Sequence, residues 1–302
     1  MKRTPRKNPP IVCSQMSEEN SAQEPPNLGS APSGTTSARW SDYIESGIYV
    51  YKFPINKTDI QGKTPQSVLM IHGSMDRGTS FSRLHNCLTG FATTTYDRRG
   101  YHRSRLAGRD LPTSFSSQID DAMEVMSRKR FLVFGHSYGA TIALALGYRF
   151  PEYISCVIAF EPPQPWRDWW PTHQRNKVSD QVSPQDVAEN FIRRMIGDDR
   201  WDRLPQRTKL ERRSEGPAFV LELAQLRETG CPFEVTGFQI PVTIVRGSNT
   251  SEHQIRGTNE LANEIPHANF CEIQGAGHGA HLSHARQVAS IIEKESQSAS
   301  LS

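Results

Sequence analysis

The chain has 302 residues, of which 36% are hydrophobic and 22% are charged, so it has the composition of a globular protein with one sizeable α/β domain or two small ones. No apolar run approaches the ~20 residues that cross a bilayer, and we therefore expect no membrane span. The formal net charge of +3 is too small to indicate a nucleic-acid partner.

The first 39 residues are rich in Pro, Ser, Glu, Asn and Gly, and Ile11–Cys13 is their only apolar run. Because such a segment buries too little apolar surface to offset the entropy of ordering it, residues 1–39 are predicted to form a disordered tail. A secretory signal needs an apolar core of ~7 to 15 residues, and a transit peptide avoids acids such as Glu18 and Glu24. We therefore expect a cytoplasmic protein.

The spacing of the cysteines favours the same compartment. The five cysteines are far apart, and no CxxC pair occurs: Cys13, Cys87, Cys156, Cys231 and Cys271. This pattern predicts neither a disulfide framework nor a zinc cluster, and it is typical of a protein in a reducing compartment.

From Trp40 onward, short apolar or β-branched segments alternate with helix-like segments. The predicted strands are GIYVYKF (47–53), SVLMIHG (67–73), TTTYD (93–97), FLVFG (131–135), CVIAFE (156–161), VTIVRG (242–247) and NFCEIQG (269–275). Helices are predicted at FSRLHNCLTG, SSQIDDAMEVMSRK, GATIALALGYRF and HARQVASIIEK. This alternation predicts a mostly parallel sheet covered by helices on both faces.

Residues 162–235 interrupt the alternation. They begin with a Trp-rich stretch and continue with the helix-like segments DVAENFIRRMIG and GPAFVLELAQLRE, with no strong strand before Val242. An insertion of this length between two strands is typical of a lid over the carboxyl edge of the sheet. We therefore predict a helical cap at 162–235 and an α/β core formed by 40–161 and 236–302.

The segment GHSYG places Ser137 between two glycines, after a predicted strand and before a predicted helix. A GxSxG segment in this context is typical of a sharp turn that exposes a nucleophilic serine. Glycine is needed at 135 and 139 because the turn strains the serine backbone and brings neighbouring chain close.

A serine hydroxyl needs a base within hydrogen-bond reach and a third group that orients the base. His278 follows the last predicted strand, at the same edge of the sheet as Ser137, and is the candidate base. His281 and His284 continue a three-residue spacing from His278, but no carboxylate or cysteine lies at ligand spacing. We therefore expect no metal site, and a structural or pocket-lining role for these two histidines.

Four motifs occur in order from about residue 45 to the end of the chain: IHGSMD, YDRRGYHRS, GHSYG and GAGH. With these motifs the chain resembles the α/β-hydrolase-fold superfamily, and in HGSMDR, YDRRGY, EPPQPWRDWWP and GAGHGAHLSH it resembles a group of little-characterised bacterial hydrolases. The resemblance implies a mostly parallel central sheet flanked by helices, with a helical cap insertion. It also implies an oxyanion hole formed by the backbone N–H groups of Ser74 and Tyr138.

The orienting acid departs from the common pattern of that family. Most members carry an aspartate after the seventh strand, where this chain has Thr250. Some relatives place the acid after the sixth strand instead, and Glu161 occupies that position, while Glu252 follows the seventh strand. We favour Glu161 as the third member of the triad, with Glu252 and the absence of any acid as alternatives.

Two further sets of side chains, in the DRR turn and in the PWRDWWP segment, could serve either the fold or the function. The side chains of Asp97, Arg98 and Arg99 are predicted to be structural, with Arg98 paired locally, because glycine turns at strand ends are common. The tryptophans of PWRDWWP are expected either to pack between cap and core or to form a substrate wall: Trp166, Trp169 and Trp170.

These features predict a cofactor-free serine hydrolase that cleaves a small, fairly apolar ester, lactone or related acyl compound through an acyl-enzyme. The alternative is a binding protein on the same fold, with weak or lost turnover. The expected partner is a small-molecule substrate, and the oligomeric state is left open.

Overall fold

The computed structural model of the protein describes residues 40–55, 66–106, 114–171 and 182–299. The predicted disordered tail, 1–39, lies outside the described residues.

The described residues form an eight-stranded sheet with the strand order β1-β2-β4-β3-β5-β6-β7-β8. The strands are β1 (Trp40–Tyr43), β2 (Tyr49–Phe53), β3 (Gln66–Ile71), β4 (Phe91–Asp97), β5 (Phe131–His136), β6 (Ile154–Phe160), β7 (Val242–Gly247) and β8 (Asn269–Ile273). Strand β2 pairs antiparallel with β1 and β4, and the remaining pairs are parallel. The predicted mostly parallel sheet is therefore confirmed.

Each predicted strand has a counterpart in the sheet, but β1 does not appear among the predictions. Its sequence, WSDY, is exposed along its whole length and carries no buried alternation. Strand β1 is held by pairing with β2, in which Trp40 lies opposite Lys52. A strand that lies at an edge and faces solvent leaves no apolar period in the sequence.

The helices within the described ranges either cover the two faces of the sheet or belong to the chain segment that connects β6 to β7. They are α1 (Ser82–Cys87), α2 (His102–Leu106), α3 (Phe115–Met126), α4 (Tyr138–Arg149), α5 (Pro184–Ile196), α6 (Asp198–Asp202), α7 (Gln206–Arg213), α8 (Gly216–Thr229), α9 (Glu252–Glu264), α10 (Ala280–Ser283) and α11 (Ala285–Ala299). None of the described helices is long and apolar enough to span a bilayer.

The central strands are apolar at successive positions because both faces of the sheet are covered. Leu69 packs in a core cluster with residues of α3, α4 and α9, whereas its neighbour Met70 packs in a second cluster with residues of α1 and α11. Both side chains are fully buried. Successive strand residues point to opposite faces, so an unbroken apolar run is what a sheet covered on both sides requires.

In the chain, helices α5 to α8 follow β6 and precede β7. We call residues 182–235, which contain these helices, the insertion. It has an apolar cluster of its own, which contains the buried residues Ile192, Trp201 and Phe219. Met75, from the loop after β3, and Tyr101, from the loop after β4, belong to the same cluster. The insertion is therefore packed on loops at the carboxyl edge of the sheet.

The turn between β5 and α4 is shaped by close approach of the backbone. A Cβ atom on Gly139 would lie 2.2 Å from the Ile71 carbonyl oxygen, and one on Gly135 would lie 2.3 Å from the Gly139 carbonyl oxygen. Both distances are too short for any side chain. The two glycines of GHSYG are therefore required by helix-to-strand packing.

Gly139→Ala is expected to lower the free energy of unfolding by about 3 kcal/mol or more, because its Cβ would force α4 away from β3. The matched control is Gly279→Ala, whose Cβ would meet no atom within 4 Å. Urea unfolding followed by circular dichroism measures both variants. Equal midpoints for the two variants would show that α4 has room to move.

Candidate active site

Three of the predicted site residues follow parallel strands at the carboxyl edge of the sheet. Ser137 comes directly after β5, Glu161 directly after β6, and His278 lies in the loop after β8. Because the carboxyl ends of parallel strands share one edge, the topology brings these distant positions to the same side of the molecule.

Ser137 occupies a strained backbone conformation, with φ 54° and ψ −123°. Its backbone N–H donates to the Phe160 carbonyl oxygen at 2.8 Å, which ties the turn to the end of β6. A non-glycine residue in such a conformation costs on the order of 1–3 kcal/mol and persists only where the surroundings hold it. The strain is that expected of an exposed nucleophile at a strand-to-helix turn.

His278 and Glu161 are in direct contact. The distance between His278 Nδ1 and Glu161 Oε2 is 2.5 Å, and Glu161 is fully buried. Two further donors hold the carboxylate: the Gly247 N–H reaches Oε1 at 2.8 Å, and the Thr250 hydroxyl reaches Oε2 at 3.0 Å. The carboxylate is therefore fixed in one orientation, with an oxygen facing the imidazole.

Glu252, the alternative acid, is the first residue of α9, and its side chain is exposed. Thr250 occupies the place where most relatives carry an acid, and here its hydroxyl supports Glu161 instead. In the sequence Thr250 is visible only as a missing acid, because nothing local in the chain shows that it faces Glu161.

Within the described residues, no hydrogen bond joins Ser137 Oγ to the His278 ring. Both side chains are half-buried at the same edge, and the His278 ring lies 4.8 Å from the ring of His136, the residue before Ser137. Hydrogen bonds between a nucleophile and its base are often long without substrate and tighten when substrate binds. The absence of this bond is therefore compatible with a nucleophile and base pair.

His72 cannot serve as the base, because both of its ring nitrogens are in use. Nδ1 lies 2.7 Å from the Gly73 carbonyl oxygen, and Nε2 accepts from the Arg98 backbone N–H at 2.9 Å. Burial, together with the charge of Arg98, lowers the pKa of His72 from 6.5 to about 3. His72 is thus a neutral, buried part of the turn that precedes Ser74.

Arg98 pairs with Glu222 of α8, and both side chains are fully buried. The prediction of a local partner for Arg98 is therefore wrong, since Glu222 lies 124 positions away in the chain. Burial by itself lowers the pKa of Arg98, but the charge of Glu222 raises it above the ordinary value. The pair is a buried ion pair between the insertion and the core.

The same pair holds the turn that contains Ser74. Arg98 donates from Nε to the His72 carbonyl oxygen at 2.9 Å and from a terminal nitrogen to the Gly73 carbonyl oxygen at 3.1 Å. The Ser74 hydroxyl donates to Glu222 Oε2 at 2.9 Å. Glu222 is not among the residues predicted from the sequence, although its place on the buried face of α8 marks it as a paired charge.

The tryptophans of PWRDWWP pack against the core and α9. Trp170 is buried with its ring 4.8 Å from His253, and Trp169 donates from its ring nitrogen to Glu260 at 3.1 Å. Trp166 is partly buried and lies edge-on to Phe233. These contacts agree with the packing role and give no support to the substrate wall.

The two further histidines of the GAGHGAHLSH segment have different surroundings. His281 is buried, with its ring against Phe81 and His136. His284 is partly exposed, with Nδ1 at 2.8 Å from the Ser283 hydroxyl. The three-residue spacing therefore does not place them in one site.

Comparison with known proteins agrees with this architecture. Residues 68–291 match the Alpha/beta hydrolase family. An uncharacterized hydrolase, YraK, from Bacillus subtilis (strain 168) is 36% identical over 107 residues, which is 34% of this chain and 39% of that protein. The chain spans less than half the length of each curated relative that it matches.

Two solved structures share the fold at low sequence identity. The enol-lactonase from Burkholderia xenovorans LB400 has a TM-score of 0.62 at 17% identity, and the similarity covers 83% of this chain and 97% of that one. A thermophilic esterase from Thermogutta terrifontis has a TM-score of 0.63 at 15% identity, covering 87% and 99%. The predicted fold and the family resemblance are thus confirmed.

Glu222→Ala is expected to lower the free energy of unfolding by about 3–5 kcal/mol, because it leaves the Arg98 guanidinium buried without its partner. Glu228→Ala, at an exposed position on the same helix, is the matched control and is expected to change stability by less than about 0.5 kcal/mol. Chemical denaturation of both variants provides the measurement. A Glu222→Ala variant as stable as Glu228→Ala would contradict the ion-pair argument.

Proposed function

The chain belongs to the alpha/beta hydrolase family, and on that premise we propose that it is a cofactor-free serine hydrolase. Its substrate is a small, fairly apolar ester, lactone or related acyl compound. Ser137 is the nucleophile, His278 is the general base, and Glu161 orients His278.

The observation that carries this proposal is the contact between His278 and Glu161 beside the strained turn at Ser137. Glu161 meets Nδ1 of the imidazole at 2.5 Å, which leaves Nε2 as the nitrogen available to a serine hydroxyl. A buried carboxylate with two other donors is well suited to stabilise an imidazolium. The arrangement supports Glu161 over Glu252 as the acid.

In the proposed reaction, Ser137 Oγ attacks the substrate carbonyl carbon while His278 Nε2 takes its proton. The tetrahedral intermediate collapses, the bond to the leaving oxygen breaks, and His278 returns the proton to that oxygen. The acyl group is then bonded to Ser137. Water, deprotonated by His278, attacks the acyl-enzyme; the acyl bond to Ser137 Oγ breaks, His278 returns the proton to Oγ, and the carboxylic acid is released.

The oxyanion is proposed to accept hydrogen bonds from the backbone N–H groups of Ser74 and Tyr138. The Gly73 carbonyl faces Arg98, and in a trans peptide the Ser74 N–H points the opposite way. A Cβ on Gly73 would lie 2.9 Å from Ser137 Cβ, so this turn adjoins the nucleophile. Tyr138 is the first residue of α4, where backbone N–H groups have no partner within the helix.

We propose that the insertion is the cap over this site, as part of a cap at 162–235 on a core formed by 40–161 and 236–302. Met75, adjacent to Ser74, is buried in the insertion's apolar cluster, so the insertion packs directly beside the proposed oxyanion turn. The names of the enol-lactonase and the esterase that share the fold agree with an ester or lactone substrate. The cytoplasmic location stays a prediction from the cysteine spacing.

Ser137→Ala and His278→Ala are expected to lose labelling by a fluorophosphonate probe and to lower kcat for short nitrophenyl esters by about 10⁴-fold or more. Glu161→Gln is expected to lower kcat by roughly 10³–10⁴-fold, because the imidazolium loses its counter-charge. Glu252→Gln, at an exposed position, is the matched control and is expected to keep full activity.

The outcomes separate the competing assignments. A large loss in Glu252→Gln with little loss in Glu161→Gln would reassign the acid to Glu252. A wild-type protein that is folded but neither labels nor cleaves any ester would favour the binding-protein alternative.

Thr250→Val is expected to lower kcat by roughly 10- to 100-fold, because a hydrogen bond to a carboxylate contributes about 1.5–3 kcal/mol and the valine removes the donor to Glu161 without changing the shape. Thr250→Ser keeps the hydroxyl and serves as the control. Steady-state ester hydrolysis measures both variants. A Thr250→Val variant as fast as Thr250→Ser would mean that Gly247 alone holds the acid.

A further inference from the structure

A second cluster of ionisable side chains lies behind the proposed triad. Asp76, from the loop after β3, His136, at the end of β5, and His281, in α10, each direct one donor atom into a common space. These three atoms lie within 4.8 Å of one another, and His281 Nε2 is 3.3 Å from Asp76 Oδ2. None of these side chains has a role in the proposed hydrolysis.

The hydrogen bond of His136 determines which of its nitrogens is free. Nε2 lies 2.7 Å from the His278 carbonyl oxygen, and since a carbonyl only accepts, Nε2 carries the proton. In a neutral ring, Nδ1 then holds a lone pair. Within the described part of the chain this buried Nδ1 has no hydrogen-bond partner.

His281 is only 2% exposed; its Nε2 faces Asp76, and its Nδ1 has no hydrogen-bond partner among the described residues. Its ring centroid lies 4.2 Å from that of His136. Buried polar atoms normally have partners, so the unpartnered His136 Nδ1, beside the His281 and Asp76 side chains, points to a missing ligand.

The carboxylate of Asp76 is already oriented. Oδ1 accepts from the Arg77 backbone N–H at 2.9 Å, and Oδ2 accepts from the Ser80 hydroxyl at 3.0 Å. Together with the bond from His136 to the His278 carbonyl, these contacts resemble the outer hydrogen bonds that orient metal ligands in proteins.

We propose that Asp76, His136 and His281 bind a divalent transition-metal ion of the zinc type. Two imidazoles and one carboxylate suit such an ion, and three protein ligands leave one position for water. At metal–ligand distances of about 2.1 Å, tetrahedral ligands are about 3.4 Å apart, so side-chain shifts of roughly 1 Å complete the site.

An ion pair between His281 and Asp76 is the simplest alternative, but it leaves His136 Nδ1 buried without a partner. A metal ion accepts the lone pairs of His136 Nδ1 and one nitrogen of His281 while neutralising Asp76. It also links the turn after β3, the serine turn and the histidine loop, and it therefore stabilises the folded protein.

The test uses the full chain without a purification tag, stripped of metal by a chelator and titrated with Zn²⁺ in a calorimeter. We expect one ion per chain, and a thermal midpoint that rises by roughly 5–10 °C at a Zn²⁺ concentration of about 100 times Kd. His281→Ala and Asp76→Asn are expected to weaken binding by roughly 100-fold or more, which exceeds the usual loss for an outer hydrogen bond. His284→Ala, outside the cluster, is the matched control and is expected to bind as wild type does.

Binding that is absent in wild type, or equal in wild type and a folded His281→Ala variant, would overturn the proposal. If the variants do not fold, the visible absorption of Co²⁺-loaded wild type decides: intense tetrahedral bands support the site, and a spectrum of free aqueous Co²⁺ overturns it. Ser137→Ala is expected to bind Zn²⁺ as wild type does, so a failure of the hydrolase proposal remains distinguishable from a failure of this one.

Discussion

The close approach of helix α4 to strand β3 is the constraint on which the carboxyl edge depends. It leaves the chain a single residue in which to pass from β5 into α4, and Ser137 takes up the resulting strain. Burial of a large aliphatic side chain contributes about 1.5–3 kcal/mol. The strain at Ser137 costs on the order of 1–3 kcal/mol. Burial of three side chains of α4 more than offsets this cost: Ile142, Leu144 and Leu146 are all fully buried.

The second constraint is the buried pair of Arg98 and Glu222. Removing two charges from water is costly, and the cost is recovered only when each has well-placed partners. Here Arg98 binds two carbonyl groups of the turn before Ser74, while Glu222 also accepts from the Tyr101 and Ser74 hydroxyls. The position of the insertion is thus set by charge satisfaction as well as by apolar packing, since a shift of α8 would leave a charge unpaired.

A feature could be predicted from the sequence when the interacting residues lie close together along the chain. The strands and the serine turn were predictable because their signals lie within a few neighbouring residues: an apolar run, a glycine pair or an alternating face. Strand β1 was missed because it is polar and depends on pairing with β2. The local partner predicted for Arg98 was wrong because its true partner lies on α8, and no pattern near residue 98 identifies that helix.

By itself, the sequence determined the chain order of strands β2 to β8, the family, and Ser137 and His278 as the candidate nucleophile and base, because each of these is written in a short local pattern. Only the tertiary structure decided that Glu161 meets His278, that Thr250 supports Glu161, and that Asp76 joins two histidines behind them. The physical reason is that such contacts depend on which strands are neighbours in the sheet and where their loops turn. Those distances do not exist until the chain has folded.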